Sequence, residues 1–77
     1  MLKIFVIDDE RLIRVTTADE LREHGYKVRE FASAEAALVE LRENSGEVDI
    51  ILSDLKMPGI DGLQFISKVK SINPNIF

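Results

Sequence analysis

Three short apolar runs, separated by longer amphipathic segments, constrain what this chain can fold into. Residues 2–7 (LKIFVI) and 48–52 (VDIIL) are rich in β-branched and aromatic side chains, and an aspartate follows closely on each run. Short apolar runs that end in polar residues are typical of buried strands. Residues 28–31 (VREF) combine charged and apolar side chains, as expected of an edge strand. The sequence therefore predicts three strands, of which the first and third along the chain are buried.

The segments between these runs carry helical periodicity and helix-end signals. A first helix is predicted over residues 11–24, with Gly25 as its C-terminal stop. A second helix is predicted to begin after a Ser33 cap and to end at residues 44–46 (NSG).

A third helix is predicted to begin with a capping box formed by Asp61 and Gln64 and to end at residues 73–75. Its expected apolar stripe consists of Leu63, Ile66 and Val69, with Phe65 and Ile72 beside it. The resulting order is β-α-β-α-β-α, which predicts an α/β fold with a parallel sheet and right-handed crossovers. We expect the strand order 2-1-3, with the first strand in the middle.

Length and charge exclude several classes of protein. The chain has 77 residues, 14 acidic against 10 basic side chains, a net charge of −4 and no cysteine. One small domain is expected, without disulfides or thiolate metal sites. The acidic balance argues against direct nucleic-acid binding, which needs a basic face. The apolar runs are too short to span a membrane, so we expect a cytoplasmic domain that does not enter a membrane.

Acidic residues follow both predicted buried strands. Asp8 and Asp9 come directly after the first strand, and Asp54 follows the third. Functional groups of open parallel sheets gather at the carboxyl ends of the strands. Three carboxylates in one crevice repel one another unless a cation neutralises them, and Mg²⁺ prefers such oxygen ligands. The trio therefore indicates a Mg²⁺ site, with the plainer alternative that Asp9 or Glu10 only caps the first helix.

Two motifs resemble the receiver domain of two-component response regulators. They are IFVIDDE at residues 4–10 and ILSDLKMPGIDG at residues 51–62, and the resemblance extends over the whole chain. It implies a flavodoxin-like, doubly wound parallel sheet. It also implies that a histidine kinase is the partner and that the domain is a phosphoacceptor regulator, not an enzyme.

The same resemblance assigns roles to individual residues. Asp54 would accept the phosphoryl group. Asp9 and Asp54 would bind Mg²⁺ through their carboxylates and Asp8 through a water molecule, while Lys56 would contribute its backbone carbonyl. A carboxylate is a competent nucleophile for phosphoryl transfer, and Mg²⁺ supplies the charge neutralisation that such transfer needs.

The family pattern has five strands, and this sequence matches it only as far as the beginning of the fourth. Two further family residues, a Ser or Thr after strand four and a Lys after strand five, have no counterpart in residues 1–77. We therefore expect a receiver domain over residues 1–77 that is incomplete at its C-terminal side and impaired in phosphoryl transfer. The third strand would then be a bare apolar edge, which favours pairing with another chain, so a homo-oligomer is expected.

Two other functions compete with the phosphoacceptor reading. One is a self-associating structural fragment of a receiver that has no phosphorelay activity. The other is a phosphohydrolase of the haloacid-dehalogenase type, which also uses an aspartate at a strand end. That family has a second aspartate two residues after the nucleophile. Lys56 stands at this position here, so the hydrolase is disfavoured.

Overall fold

A parallel three-stranded sheet with helices on both faces forms the framework of the protein. The computed structural model describes residues 2–44, 48–53 and 62–76. Along the chain the elements are β1 (Lys3–Ile7), α1 (Arg11–Glu23), β2 (Lys27–Phe31), α2 (Ala34–Asn44), β3 (Ile50–Ser53) and α3 (Gly62–Ile72). The strand order is β2-β1-β3. The predicted fold class, element order and strand order are confirmed.

The central position of β1 follows from its uninterrupted apolar sequence. It pairs in parallel with a neighbour on each side, so that Val6 lies opposite Glu30 on β2 and opposite Leu52 on β3. Four of its five residues are buried. A strand covered on both faces needs apolar side chains in both directions, and the run IFVI supplies them.

The two faces of the sheet carry separate cores because successive side chains of a strand point in opposite directions. Phe5 and Ile7 belong to the larger core with α2 and α3. Ile4 and Val6 face α1 and form the smaller core around Ala18, which is completely buried.

The predicted edge character of β2 is confirmed. Its side chains alternate between exposed and covered until the buried Phe31. Arg29 on the exposed side forms an ion pair with Glu40 of α2. The Arg29 guanidinium also lies 5.5 Å from the centre of the Phe31 ring. A charged edge of this kind discourages pairing with another chain.

The predicted C-terminal stop of α1 and the predicted N-terminal cap of α2 are confirmed. Gly25 has a φ of +90°, a conformation that glycine adopts without strain. Its backbone N–H donates to the carbonyl of Arg22 at 3.0 Å, which closes α1. At the start of α2, the backbone N–H of Ala36 donates to Ser33 Oγ at 3.2 Å. The proposed capping residue Asp61 and the predicted stop at Ser45 and Gly46 lie outside the described residues.

The predicted burial of β3 is wrong in part. The strand begins at Ile50 instead of residue 48, although Val48 itself is buried just before it. All four strand residues are only half-buried or exposed, and Leu52 is 42% exposed. The physical reason is that β3 has a neighbouring strand on one side only, because within the described residues it pairs with β1 alone. Composition shows that a run is apolar but not how many neighbours it has.

The predicted apolar stripe of α3 is also wrong in part. Leu63 is 81% exposed and Ile66 is 46% exposed, whereas Phe65 and Val69 are buried. Ile72 packs against the same core. The inner stripe is therefore Phe65, Val69 and Ile72, whose i, i+4, i+7 spacing spans about 60° of the helix. The predicted set of Leu63, Ile66 and Val69 has an i, i+3, i+6 spacing and spans about 120°, so it leaves the buried face.

Among the helices in these described ranges, none combines the length and the hydropathy that a transmembrane segment requires.

The close approach of α1 to the sheet depends on the small side chain of Ala18, and a larger side chain tests this. Replacing Ala18 with leucine should lower the free energy of unfolding by about 1–3 kcal/mol, because the added atoms meet Ile4 and Val6. The measurement is urea denaturation followed by circular dichroism. The matched control is Ala36→Leu on the exposed side of α2, which should change the value by less than about 0.5 kcal/mol. Equal effects of the two substitutions would contradict this account of the α1 packing.

Candidate functional site

The two acidic residues after β1 lie at the carboxyl edge of the sheet, as the sequence predicts. The backbone N–H of Asp8 donates to the carbonyl of Phe31 at 3.1 Å, which continues the β1 to β2 pairing by one residue. Asp8 is half-buried and Asp9 is exposed. The sheet therefore fixes the backbone of the first aspartate and leaves the second at the surface.

A tight turn connects β1 to α1, and the side chain of Asp8 shapes it. The backbone N–H of Glu10 donates to Asp8 Oδ1 at 2.9 Å. Aspartate commonly makes this bond to the amide two residues ahead and so stabilises a turn. The bond holds the Asp8 carboxylate beside the backbone at the sheet edge.

The plainer alternative, helix capping by Asp9 or Glu10, does not match the geometry. Glu10 occupies the N-cap position of α1, but its side chain makes no capping hydrogen bond. Asp9 precedes that position. Glu10 therefore does not cap α1 through its side chain, and Asp9 does not occupy the capping position.

The register of the strands determines which other residues share this edge. Ile7 at the end of β1 lies opposite Ser53 at the end of β3. Parallel strands end at the same edge of a sheet, so β3 ends beside β1 at this edge. Asp54 is the next residue in the sequence, and both Asp54 and Lys56 lie outside the described residues. Two of the three predicted carboxylates, those of Asp8 and Asp9, are thus described at one strand end.

A cleft of about 270 Å³ opens beside Asp8. It runs between the ends of β1 and β3 and reaches Thr17 on α1. The lining residues are Val6, Ile7, Asp8, Thr17, Leu52 and Ser53. Its walls are mainly apolar, with carboxylate and hydroxyl oxygens at the sheet edge. Charges interact more strongly beside such walls than in open water.

One residue of the site is absent from the sequence prediction. Arg14 on α1 donates from Nη1 to the backbone carbonyl of Asp8 at 2.9 Å. Its Nε lies 3.8 Å from Glu30 Oε1 on β2. A signal for this contact exists in the sequence. Glu30 stands at a position of β2 that alternation assigns to the covered face, and a carboxylate there needs a cationic partner.

The donor set at this edge suits a hard divalent cation. Asp8 and Asp9 offer carboxylate oxygens, and the end of a strand offers backbone carbonyls. Mg²⁺ takes oxygen ligands and keeps several waters, so one or two carboxylates at a surface cleft are sufficient. Across the ranges that the structure describes, no group of three or more acidic, histidine or cysteine side chains is gathered for a metal. The predicted trio would need Asp54 as its third member.

Comparison with known proteins places this geometry in one family. The sensor kinase CckA of Brucella abortus is 36% identical to this chain over 73 aligned residues. The alignment covers 95% of this chain and 8% of CckA. A solved receiver domain protein of Clostridium thermocellum superposes with a TM-score of 0.93 at 32% identity. This match covers 99% of the present chain and 60% of the solved one.

A third relative was solved with ligands and with a partner. TrrA of Thermotoga maritima, solved with Mg²⁺ and BeF, is 35% identical with a TM-score of 0.83, over 96% of this chain and 63% of TrrA. TrrA was also solved in complex with the histidine kinase ThkA, and this second structure has a TM-score of 0.86 at 34% identity. It covers 99% of the present chain and 64% of the TrrA chain.

The family model for the response regulator receiver domain matches residues 4–77. This match contains β1 except Lys3, the two aspartates that follow it and all the other elements of the fold. The sheet order, the acidic strand end and the similar structures all agree with it. The chain belongs to the response regulator receiver domain family of two-component systems.

Proposed function

We propose that this chain is a phosphoacceptor signalling domain of a two-component phosphorelay, which acts in the cytoplasm as a regulator and not as an enzyme. In this proposal Asp54 accepts a phosphoryl group from a histidine kinase, with Mg²⁺ bound nearby. The observation that carries it is the pairing of Ile7 with Ser53, because this register joins the strand ends that precede Asp8 and Asp54. The TrrA structures, one with Mg²⁺ and BeF and one with a histidine kinase, support the cofactor and the partner.

The proposed metal ligands differ in how they are held. Asp8 already accepts a hydrogen bond from the Glu10 N–H, which suits a carboxylate that binds the cation through water. Asp9 is exposed and is the proposed direct ligand on this side of the site. Asp54, through its carboxylate, and Lys56, through its backbone carbonyl, complete the proposed set.

The proposed chemistry needs little from the protein beyond placement and charge. A carboxylate oxygen of Asp54 attacks phosphorus while the bond from phosphorus to the donor's histidine nitrogen breaks. The nitrogen leaves with the electron pair, and the product is an aspartyl phosphate. Mg²⁺, when bound, neutralises charge on the phosphoryl oxygens. Asp8 and Asp9 would hold the cation at the sheet edge before the donor arrives.

Magnesium binding is the first consequence to measure. Titration with Mg²⁺ should shift the backbone amides of residues 8–10 and saturate at a single weak site, because two or three carboxylates converge there. The double variant Asp9→Asn with Asp54→Asn should lose this response. Glu20→Gln with Glu23→Gln removes the same charge from an exposed part of α1 and should keep it. Amide shifts that are no larger in the wild type than in the first double variant would refute the site.

Phosphoryl transfer to Asp54 is the second consequence. The 77-residue chain should be labelled slowly and incompletely by acetyl phosphate with Mg²⁺. The resemblance assigns two further charge-neutralising residues to the family, and neither has a counterpart here. Losing one such donor costs on the order of 10²–10³ in rate. Intact-mass and peptide mass spectrometry should place the added phosphoryl group on Asp54 and find none in Asp54→Asn. Equal labelling of that variant would assign the chemistry to another residue.

We also propose that copies of the 77-residue chain associate along β3, with or without phosphorelay activity. An apolar cavity of about 330 Å³ lies between β3 and α3, and its lining includes Ile51, Phe65, Ile66 and Ile76. Ile66 in this lining is 46% exposed, and Leu52, on the α1 side of the β3 edge, is 42% exposed. An apolar strand edge next to an apolar cleft is a template for another chain. The expectation that the domain is incomplete at its C-terminal side stays a prediction.

Association at this edge can be tested with a charged side chain. Sedimentation equilibrium should show a dimer or a larger species whose circular dichroism signal falls on dilution. Ile66→Glu should weaken this association at least severalfold, because it places a charge in the apolar cleft. Val39→Glu is the matched control, since Val39 is 56% exposed on α2, away from the cleft. A well-folded monomer at micromolar concentration would refute the proposed self-association.

A further inference from the structure

We propose that Arg14 is a positioning residue for the acidic turn that carries Asp8 and Asp9. The inference rests on the proposed function, because the geometry of the turn affects metal affinity only if Asp8 and Asp9 bind a cation. Arg14 does not belong to the acidic set, and its guanidinium contacts the backbone of Asp8. Its role is therefore to fix the geometry of the turn.

The Arg14 guanidinium joins two elements through two different atoms. Nη1 donates to the Asp8 carbonyl at 2.9 Å, and Nε lies 3.8 Å from Glu30 Oε1. The side chain of Arg14 is 16% exposed and that of Glu30 is 24% exposed. A guanidinium is planar and carries donors in a fixed fork, so these two contacts together restrict its orientation.

Glu30 is itself held by a second arginine. Arg22 Nη1 lies 3.0 Å from Glu30 Oε2, and Arg22 Nη2 donates to the carbonyl of Val28 at 3.1 Å. Arg14 and Arg22 lie two turns apart on α1, on either side of the buried Ala18. The two arginines therefore both contact the Glu30 carboxylate of β2, where α1 packs closely on the sheet. The hydrogen bond from Arg14 extends this network to the Asp8 carbonyl.

Electrostatics alone predicts the opposite role for Arg14. A cation beside a metal site repels Mg²⁺, so its removal would strengthen metal binding. Positioning predicts weaker binding, because a turn that is free to move places its carboxylates less often in the binding geometry. Removing residues that orient metal ligands typically lowers metal affinity by about 10–100-fold. The two effects have opposite signs, so one titration distinguishes them.

Arg11 provides the matched control for charge. It is exposed, it lies at the start of the same helix, and its replacement by glutamine changes the net charge by the same amount. Arg14→Gln should weaken Mg²⁺ binding about tenfold, whereas Arg11→Gln should leave it unchanged or strengthen it. Arg14→Lys keeps the charge without the fork and should give an intermediate affinity. The measurement is an amide shift titration with Mg²⁺ at constant ionic strength.

A metal-free measurement keeps this inference separate from the proposed function. In Arg14→Gln, the ¹³C shift of the Asp8 carbonyl should move and the amides of residues 8–10 should lose order, while neither should change in Arg11→Gln. If the wild type binds no Mg²⁺, the proposed metal site fails and these shifts alone decide the role of Arg14. Unfolding free energies identify any variant that fails to fold, in which case Arg14→Lys replaces Arg14→Gln in the comparison. Unchanged shifts, or Mg²⁺ binding as tight in Arg14→Gln as in Arg11→Gln, would overturn the inference.

Discussion

The parallel pairing of β1 with a strand on each side is the constraint on which the rest of the structure depends. Four consecutive apolar residues, Ile4 to Ile7, are buried between two helical layers. Such a strand ends only where a polar residue leaves the sheet, and here that residue is Asp8. The burial of β1 thus determines both where the sheet ends and where the acidic turn begins.

The acidic turn is stabilised mainly through its backbone. Phe31 accepts from the Asp8 N–H, Arg14 donates to the Asp8 carbonyl, and the Asp8 side chain accepts from the Glu10 N–H. These bonds satisfy the main chain while leaving Asp9 at the surface. Adjacent carboxylates repel each other, so other contacts are needed to keep the acidic turn ordered. The same contacts would reduce the ordering needed when a cation binds.

Local sequence signals predicted the elements well because each has a local cause. The apolar run that forms β1, the Ser33 cap of α2 and the Gly25 stop of α1 all depend on residues close in sequence. The burial of β3 depends on which elements lie beside it, which periodicity does not encode. The inner face of α3 was assigned to the wider of two possible stripes, although the spacing of Phe65, Val69 and Ile72 is the tighter one. The acidic edge was predicted as far as Asp8 and Asp9, since both follow a strong strand. Arg14 was missed because its partners, Asp8 and Glu30, lie on two different elements.

The two sides of the candidate site are held with unequal firmness. Asp8 and Asp9 follow a buried strand. The network of Arg14, Glu30 and Arg22 connects their turn to α1 and β2. Ser53, on the other side, ends a strand that is only half-buried within the described residues. In the proposed phosphoacceptor site, the α1 side would therefore hold a cation at a fixed edge. Packing around α1 would then control metal affinity, and cover over β3 would control how firmly the strand that precedes Asp54 is held.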